Sequence, residues 1–117
     1  MGLDMTFYRY SEGKKYFLQY FRKHSVLHDF LLKKYIQENP KKSIDDFNNI
    51  EYELSIEVMN SLIAFSKRRP MKRTHYKEEL LWGESSNDSW DATLEDFLPK
   101  LKDAMKSGDR VTYEPCW

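Results

Sequence analysis

The pattern of hydrophobic and polar positions changes several times along the chain, and each change marks a predicted element. The segment from Met5 to Tyr10 is rich in residues that favour β-strands. Ser11, Glu12 and Gly13 follow it and have the composition of a turn. We therefore predict a first strand close to the N-terminus that ends at this turn.

The most apolar segment runs from Lys14 to Gln37. Apolar, aromatic and histidine residues recur in it at three- and four-residue steps, which predicts one long helix. These positions are Phe17, Tyr20, Phe21, His24, Leu27, His28, Leu31 and Tyr35. Further apolar residues widen the stripe beyond one face, so we expect this helix to lie between layers of the fold or to keep a second face for a partner. Asn39 and Pro40 end it.

A second helix is predicted in the middle of the chain, preceded by a short strand. Apolar and acidic residues alternate from Ile50 to Leu54, which is typical of a half-buried strand. Ser55 is a favourable N-cap for a helix from Ile56 to Lys67. Residues 71–88 that follow fit either a short helix or a strand, with a loop after it.

The C-terminal part predicts a last helix and a closing strand. Asp88 or Ser89 caps the helix, and Pro99 inside it predicts a kink or a break into two pieces. Gly108 is placed as its C-terminal cap. Arg110 to Tyr113 reads as the closing strand, with apolar side chains on one of its faces.

Together these elements predict an α+β fold formed by a single domain, residues 1–117. Short strands, including strands near both termini, form a small sheet that packs against about three helices. The first helix is expected to be the longest. We also expect the two terminal strands to lie near each other.

The cysteine content and the apolar segments of the chain indicate the cellular compartment of the protein. The 117 residues include one cysteine, Cys116, so no internal disulfide can form, which is typical of a reducing compartment. The N-terminus has no long apolar stretch of a secretory signal. No apolar run reaches the ~20 residues needed to span a bilayer. We therefore expect a cytoplasmic protein without a membrane partner, and the sequence leaves its oligomeric state open.

A formal net charge of zero hides an uneven distribution. Residues 1–77 contain 15 Lys and Arg against 9 Asp and Glu, and residues 78–117 contain 4 against 10. Such asymmetry can mark a site for a charged partner, and it can equally be neutralised within the fold.

The strongest basic feature is the segment 67–77, which holds six basic residues and no acid. Interleaved aromatic and histidine side chains would let such a run bind phosphates and stack a base. The alternative is a solvated loop after a helix C-terminus, where positive charge is favoured. The candidate basic residues for nucleic-acid or partner binding are Arg22, Lys23, Lys67, Arg68, Arg69, Lys72, Arg73 and Lys77.

An acidic segment follows directly, because residues 78–96 contain seven acids and no Lys or Arg. With two tryptophans among them, these acids could dock into a basic groove of a protein that handles nucleic acid. The alternative is acids at helix starts and two core tryptophans. The candidate residues are Glu78, Glu79, Trp82, Glu84, Asp88 and Trp90.

Catalytic patterns are weak. His24 and His28 share a helix face, but a zinc site needs at least a third ligand and the sequence does not supply an obvious one. Cys116 could act as a nucleophile only if it were held beside a base, and a position so close to the terminus is hard to hold. We therefore predict no cofactor, no metal site and no enzymatic activity, and keep a metal-dependent enzyme as the least favoured alternative.

A family resemblance adds to this interpretation. The chain resembles a family of small phage and prophage proteins of unknown function that begin with MGLDM. The resemblance is carried by Met1 to Met5, Tyr20 to Lys23, Leu27 to Phe30, Trp82 to Ser85, Asp88 to Trp90 and Tyr113 to Trp117. The matching residues include Arg22, Lys23, His28, Gly83, Trp90 and Trp117. The chain departs from the family at Phe21 and Phe30, where the family tends to have tryptophan.

The resemblance implies a phage-derived accessory protein. By analogy, small phage proteins of this kind are often inhibitors of host defence, anti-CRISPR proteins among them. Our first hypothesis is therefore a counter-defence inhibitor that binds a host nucleic-acid-guided effector, such as a CRISPR nuclease, or its guide RNA. The alternative is a phage accessory module that binds RNA or DNA directly.

Overall fold

The computed structural model describes residues 3–22, 24–66 and 87–117. At residue 25 and residues 87–93 it describes the backbone but not the side chains. In chain order it contains β1 (Asp4–Ser11), β2 (Lys14–Arg22), α1 (Ser25–Glu38), a short 3-10 helix (Asp45–Phe47), β3 (Tyr52–Leu54), α2 (Ile56–Ser66), α3 (Asn87–Lys106) and β4 (Arg110–Cys116). The fold is therefore α+β, with strands near both ends of the chain.

The first two strands form a hairpin closed by a two-residue turn. Glu12 and Gly13 both have positive φ, 53° and 77°, which matches the right-handed twist of the flanking strands. β2 pairs antiparallel with β1 from Asp4 opposite Arg22 to Ser11 opposite Lys14, and the register shifts by one residue at Leu18. This shift is a β-bulge, which leaves Leu18 without a partner on β1.

The sheet has four antiparallel strands in the order β2-β1-β4-β3. The two terminal strands are therefore direct neighbours at its centre, as expected from the sequence. Because Phe7 pairs with Tyr113 and Tyr52 pairs with the same tyrosine, these three side chains share one face, which we call the helix face. The opposite face is called the open face.

The helices α1 and α3 pack on the helix face. Phe97 of α3 lies with its ring centroid 4.5 Å from that of Phe7, and His28 of α1 contacts Tyr113. All four side chains are fully buried. Aromatic pairs of this kind add to the free energy gained by burying their area, so they account for much of the core.

The helix ends follow the local sequence. The hydroxyl of Ser55 accepts a hydrogen bond from the N–H of Val58 at 3.2 Å, so Ser55 caps α2 as predicted. Gly108 has a φ of 74°, and the N–H groups of Gly108 and Asp109 donate to the carbonyls of Met105 and Ala104. This is a Schellman motif, which confirms Gly108 as the cap of α3.

Two sequence predictions about helices are wrong. The segment from Lys14 to Gln37 is not one helix, because β2 occupies Lys14–Arg22 and α1 begins only at Ser25. The first helix is also not the longest, since α1 has 14 residues and α3 has 20. The bulge explains the error: it places the buried residues Leu18 and Phe21 three positions apart, which imitates helical spacing.

Pro99 does not break the last helix in two, because α3 continues from Asn87 to Lys106. Among the helices of residues 3–22, 24–66 and 87–117, none is long and apolar enough to cross a membrane.

Candidate protein-binding surface

The strand β2 lies at one edge of the sheet and carries an unusual number of exposed aromatic side chains. Tyr16 is 47%, Phe17 is 63% and Tyr20 is 41% exposed. The other large exposed apolar side chains of the described residues, Ile44 and Ile56, lie on different elements. Clustered exposed aromatic residues are typical of protein-binding surfaces.

Pairing across the hairpin fixes where these aromatic side chains lie. Phe17 is opposite Tyr8, and Tyr20 is opposite Thr6, which places both on the open face. The Tyr20 hydroxyl donates a hydrogen bond to the carboxylate of Asp4, and this bond raises the pKa of Tyr20. The same hydrogen bond links the Tyr20 side chain of β2 to Asp4 of β1.

A groove of about 490 Å³ lies beside the same strand. Its walls come from β1, β2 and the middle of α3, and the lining residues are Arg9, Phe17, Leu18, Pro99, Lys100 and Asp103. Lys100 is held in place by Gln19 Oε1 at 3.0 Å and by Asp96 at 3.1 Å. The groove thus combines an apolar floor with charged groups at its rim, which suits an apolar side chain of a partner.

Charged and aromatic residues alternate on the open face next to β2. The Nζ atom of Lys15 lies 2.7 Å from Glu51 Oε1 and 4.0 Å from the ring centre of Tyr8. The Tyr10 hydroxyl donates to the same Glu51 carboxylate. Burial opposes ionisation of Glu51, but the hydrogen bonds from Lys15 and Tyr10 outweigh it and lower the pKa of Glu51. This network keeps one lysine of β2 engaged within the protein.

The open face of the sheet carries charged side chains of both signs. Strand alternation places four carboxylates and three cationic side chains there, on the strands or directly beside them. They are Asp4, Glu51, Glu53, Glu114, Lys15, Arg22 and Arg110. Among the described residues, carboxylates therefore outnumber cationic groups on this face by one, and carboxylates repel phosphates.

Most site residues predicted from the sequence lie outside the described residues. These are Lys23, Lys67, Arg68, Arg69, Lys72, Arg73, Lys77, Glu78, Glu79, Trp82 and Glu84. Asp88 and Trp90 belong to the first turns of α3, where the backbone alone is described. Arg22 is exposed at the end of β2, so it belongs to the surface described above.

The aromatic surface itself was missed by sequence reasoning, which assigned Phe17 and Tyr20 to the core stripe of a helix. A signal was present in the chain. Two segments rich in strand-forming residues flank the two-residue turn Glu12-Gly13, and that arrangement is typical of a β-hairpin.

The histidine pair considered as a metal site is built into the core. His24 and His28 are both fully buried. The Nδ1 atom of His24 accepts a hydrogen bond from the N–H of Leu27 at 3.2 Å and so caps α1, while His28 Nδ1 lies 2.6 Å from the Tyr113 hydroxyl. Within residues 3–22, 24–66 and 87–117 there is no group of three potential metal ligands.

Residues from several elements come together at one end of the sheet. The His28 and Trp117 ring centroids are 5.2 Å apart, and Asp4 pairs with Arg22 on one side and with Cys116 on the other. Comparisons with protein-family models, with curated proteins and with solved structures find no match to this chain.

Proposed function

We propose that this protein is an inhibitor that binds a partner protein through the edge of β2, and that the partner is a host nucleic-acid-guided effector. The observation that carries the binding proposal is the set of three exposed aromatic side chains on one edge strand, Tyr16, Phe17 and Tyr20. Tyrosine and tryptophan anchors dominate the binding energy of many protein interfaces, and phenylalanine is enriched in them as well.

The choice of partner rests on the sequence. The family resemblance implies a phage accessory protein, and the uneven charge of the chain fits a partner that handles nucleic acid. An inhibitor of this kind acts by covering a surface that the effector needs for its activity. It therefore requires a stable fold and a surface that binds the effector. The edge of β2 supplies such a surface.

Direct nucleic-acid binding is the competing proposal and rests on the basic segment 67–77. It predicts an affinity that falls steeply with salt, because each neutralised phosphate releases counterions. Binding through the β2 aromatic residues predicts a weak salt dependence instead, since apolar burial is insensitive to ionic strength at moderate concentrations. The two proposals therefore separate in a salt titration.

The test is an affinity capture from a lysate of the bacterial host, with and without nuclease, using the wild-type protein and two single variants. Phe17→Ala removes the most exposed aromatic side chain of β2, and Ile56→Ala removes an exposed apolar side chain, 55% exposed, from α2. We expect a nucleic-acid-guided effector to be retained after nuclease treatment, with recovery about tenfold lower for Phe17→Ala. Ile56→Ala should bind like the wild type.

Inhibition is then measured with the purified effector, whose nuclease activity should fall when the wild-type protein is added and recover with Phe17→Ala. Three results would overturn the proposal: recovery of nucleic acid alone that nuclease treatment abolishes, capture that is insensitive to Phe17→Ala, or a captured effector whose activity is unchanged.

A further inference from the structure

Within the described part of the chain, the outer edge of β2 is not paired with another strand. β2 spans nine residues and pairs with β1 on one side, and no strand of the described residues pairs with its other side. About half of the backbone N–H and C=O groups of an edge strand point away from its single neighbour. The opposite edge of the sheet, β3, has three residues and offers far fewer such groups.

Side chains flank this edge on both faces of the sheet. Phe17 and Tyr20 lie on the open face, and Tyr16 is opposite Arg9 on the helix face. Arg9 also lines the groove, together with Phe17 and Leu18 at the strand edge. Successive side chains of a strand point to opposite faces. A strand added to β2 would therefore place apolar side chains against Phe17 and Tyr20 on one face and against Tyr16 and the groove on the other.

The two ends of β2 carry positive charge. Lys14 and Arg22 are both exposed, and neither forms an ion pair with any residue of 3–22, 24–66 or 87–117. In an extended strand they lie roughly 26 Å apart, at about 3.3 Å per residue. Lys15, by contrast, is engaged by Glu51.

A second copy of this chain fits the edge poorly. Antiparallel pairing of two β2 strands centred on Leu18 would bring Lys14 of each copy close to Arg22 of the other at both ends of the pair, and like charges this close repel each other. Terminal cations and a bulge are also devices that keep sheet edges from pairing indiscriminately. A strand with negative charge at both ends removes this obstacle.

We propose that the outer edge of β2 pairs with an extended segment of a partner protein that carries a carboxylate at each end and apolar side chains between them. This inference rests on the proposed function, because it names the chemistry by which the same surface recognises its partner. Backbone hydrogen bonds supply affinity in such strand addition, and the side chains on both faces supply selectivity.

The experiment uses synthetic peptides of the same length as β2 and follows the backbone amide signals of the isotope-labelled full-length protein. One peptide has glutamate at both ends, a leucine at its centre and alternating threonine and valine between. A second has lysine at both ends. A third repeats the first with methyl groups on alternate backbone nitrogens. We expect the glutamate peptide to shift the amide signals of β2, and the methylated peptide to leave them unchanged.

Charge reversal supplies the matched comparison. The double variant Lys14→Glu, Arg22→Glu should bind the glutamate peptide roughly tenfold more weakly and the lysine peptide roughly tenfold more tightly, since two exposed charge pairs change sign. Lys102→Glu, Lys106→Glu makes the same change of net charge at two exposed positions of α3 and should keep the wild-type preference.

Equal affinity for the glutamate and lysine peptides would contradict the proposal that a partner segment pairs with the outer edge of β2. Shifted amide signals that lie outside β2 would contradict it as well. The effector capture described above is judged independently. Capture and inhibition that depend on Phe17, without any peptide-induced shift in β2, would overturn this inference and leave the proposed function standing. The opposite result is that the peptides bind with a charge preference that the double variant reverses, while no effector is captured. That result would support strand pairing and contradict the proposed function.

Discussion

The Nδ1 atom of His28 lies 2.6 Å from the hydroxyl oxygen of Tyr113, and this pair joins the first helix to the last strand inside the core. Both side chains are fully buried, as is His24 one turn earlier. Burial lowers the pKa of His24 and of His28 to about 3, and it raises the pKa of Tyr113. All three groups are therefore neutral in the folded protein at physiological pH.

This arrangement predicts a fold that loses stability in mild acid. In the unfolded chain, His24 and His28 take up protons below about pH 6.5, whereas in the folded protein they stay neutral down to about pH 3. The unfolded state therefore binds more protons in this window, and the free energy of unfolding decreases as the pH falls through it. We expect a loss of about 4 kcal/mol between pH 7 and pH 5, measured by urea unfolding.

The control for this prediction is His28→Gln, which keeps a polar side chain but removes one titrating group. Its free energy of unfolding at pH 7 should be lower than that of the wild type, because a buried contact is lost, but its decrease between pH 7 and pH 5 should be about half as large. A variant with an undiminished pH dependence would show that other groups cause it.

Local sequence signals account for much of the fold, and an irregularity within one strand accounts for the main error. The strands at both termini, the Ser55 cap and the Gly108 cap each depend on residues close in sequence, and each was predictable. The β2 strand was not, because the bulge at Leu18 hides its alternation. Of the candidate site, Arg22 was predicted, while Phe17 and its neighbours became visible as a surface only with the hairpin in place.

Arg9 connects the sheet to the end of α3, and this connection should matter for stability. Its guanidinium donates to Asp109 and, at 3.0 Å, to Asp103, and these bonds raise the pKa of Arg9. The Asp109 side chain is 11% exposed. Arg9→Met should lower the free energy of unfolding by about 2 kcal/mol, because it leaves this mostly buried carboxylate without its guanidinium partner. Urea unfolding at pH 7 measures the effect.

Arg110→Met is the matched comparison. Arg110 pairs with Glu53 at 3.4 Å, but both side chains are about 60% exposed, 62% and 59%. Exposed pairs contribute roughly 0–1 kcal/mol, so this variant should stay within about 1 kcal/mol of the wild type. Equal losses for the two variants would mean that the position of Arg9 at the helix end has no special role.

Asn48 holds the C-terminal residue in place. Its Oδ1 accepts from the N–H of Trp117 and its Nδ2 donates to the carbonyl of Trp117, both at 2.9 Å. Asn48→Ala should lower the free energy of unfolding by about 1–2 kcal/mol, because two hydrogen bonds to the backbone of Trp117 are lost. Asn60→Ala, at an exposed position of α2, should change it by less than about 0.5 kcal/mol. Thermal unfolding followed by tryptophan fluorescence measures both, and similar changes for the two variants would contradict this role.

Pro99 interrupts the hydrogen bonding of α3 without ending the helix. It is exposed, has no N–H to donate to the carbonyl four residues earlier, and lines the groove beside β2. Pro99→Ala should therefore raise the free energy of unfolding by about 1 kcal/mol, since one helical hydrogen bond is gained and little packing is lost. Pro40→Ala, just after α1, gains no such bond and should lower it slightly, because the unfolded chain becomes more flexible. Urea unfolding of both variants decides the matter: a loss of stability in Pro99→Ala would show that the proline ring is needed to shape the groove.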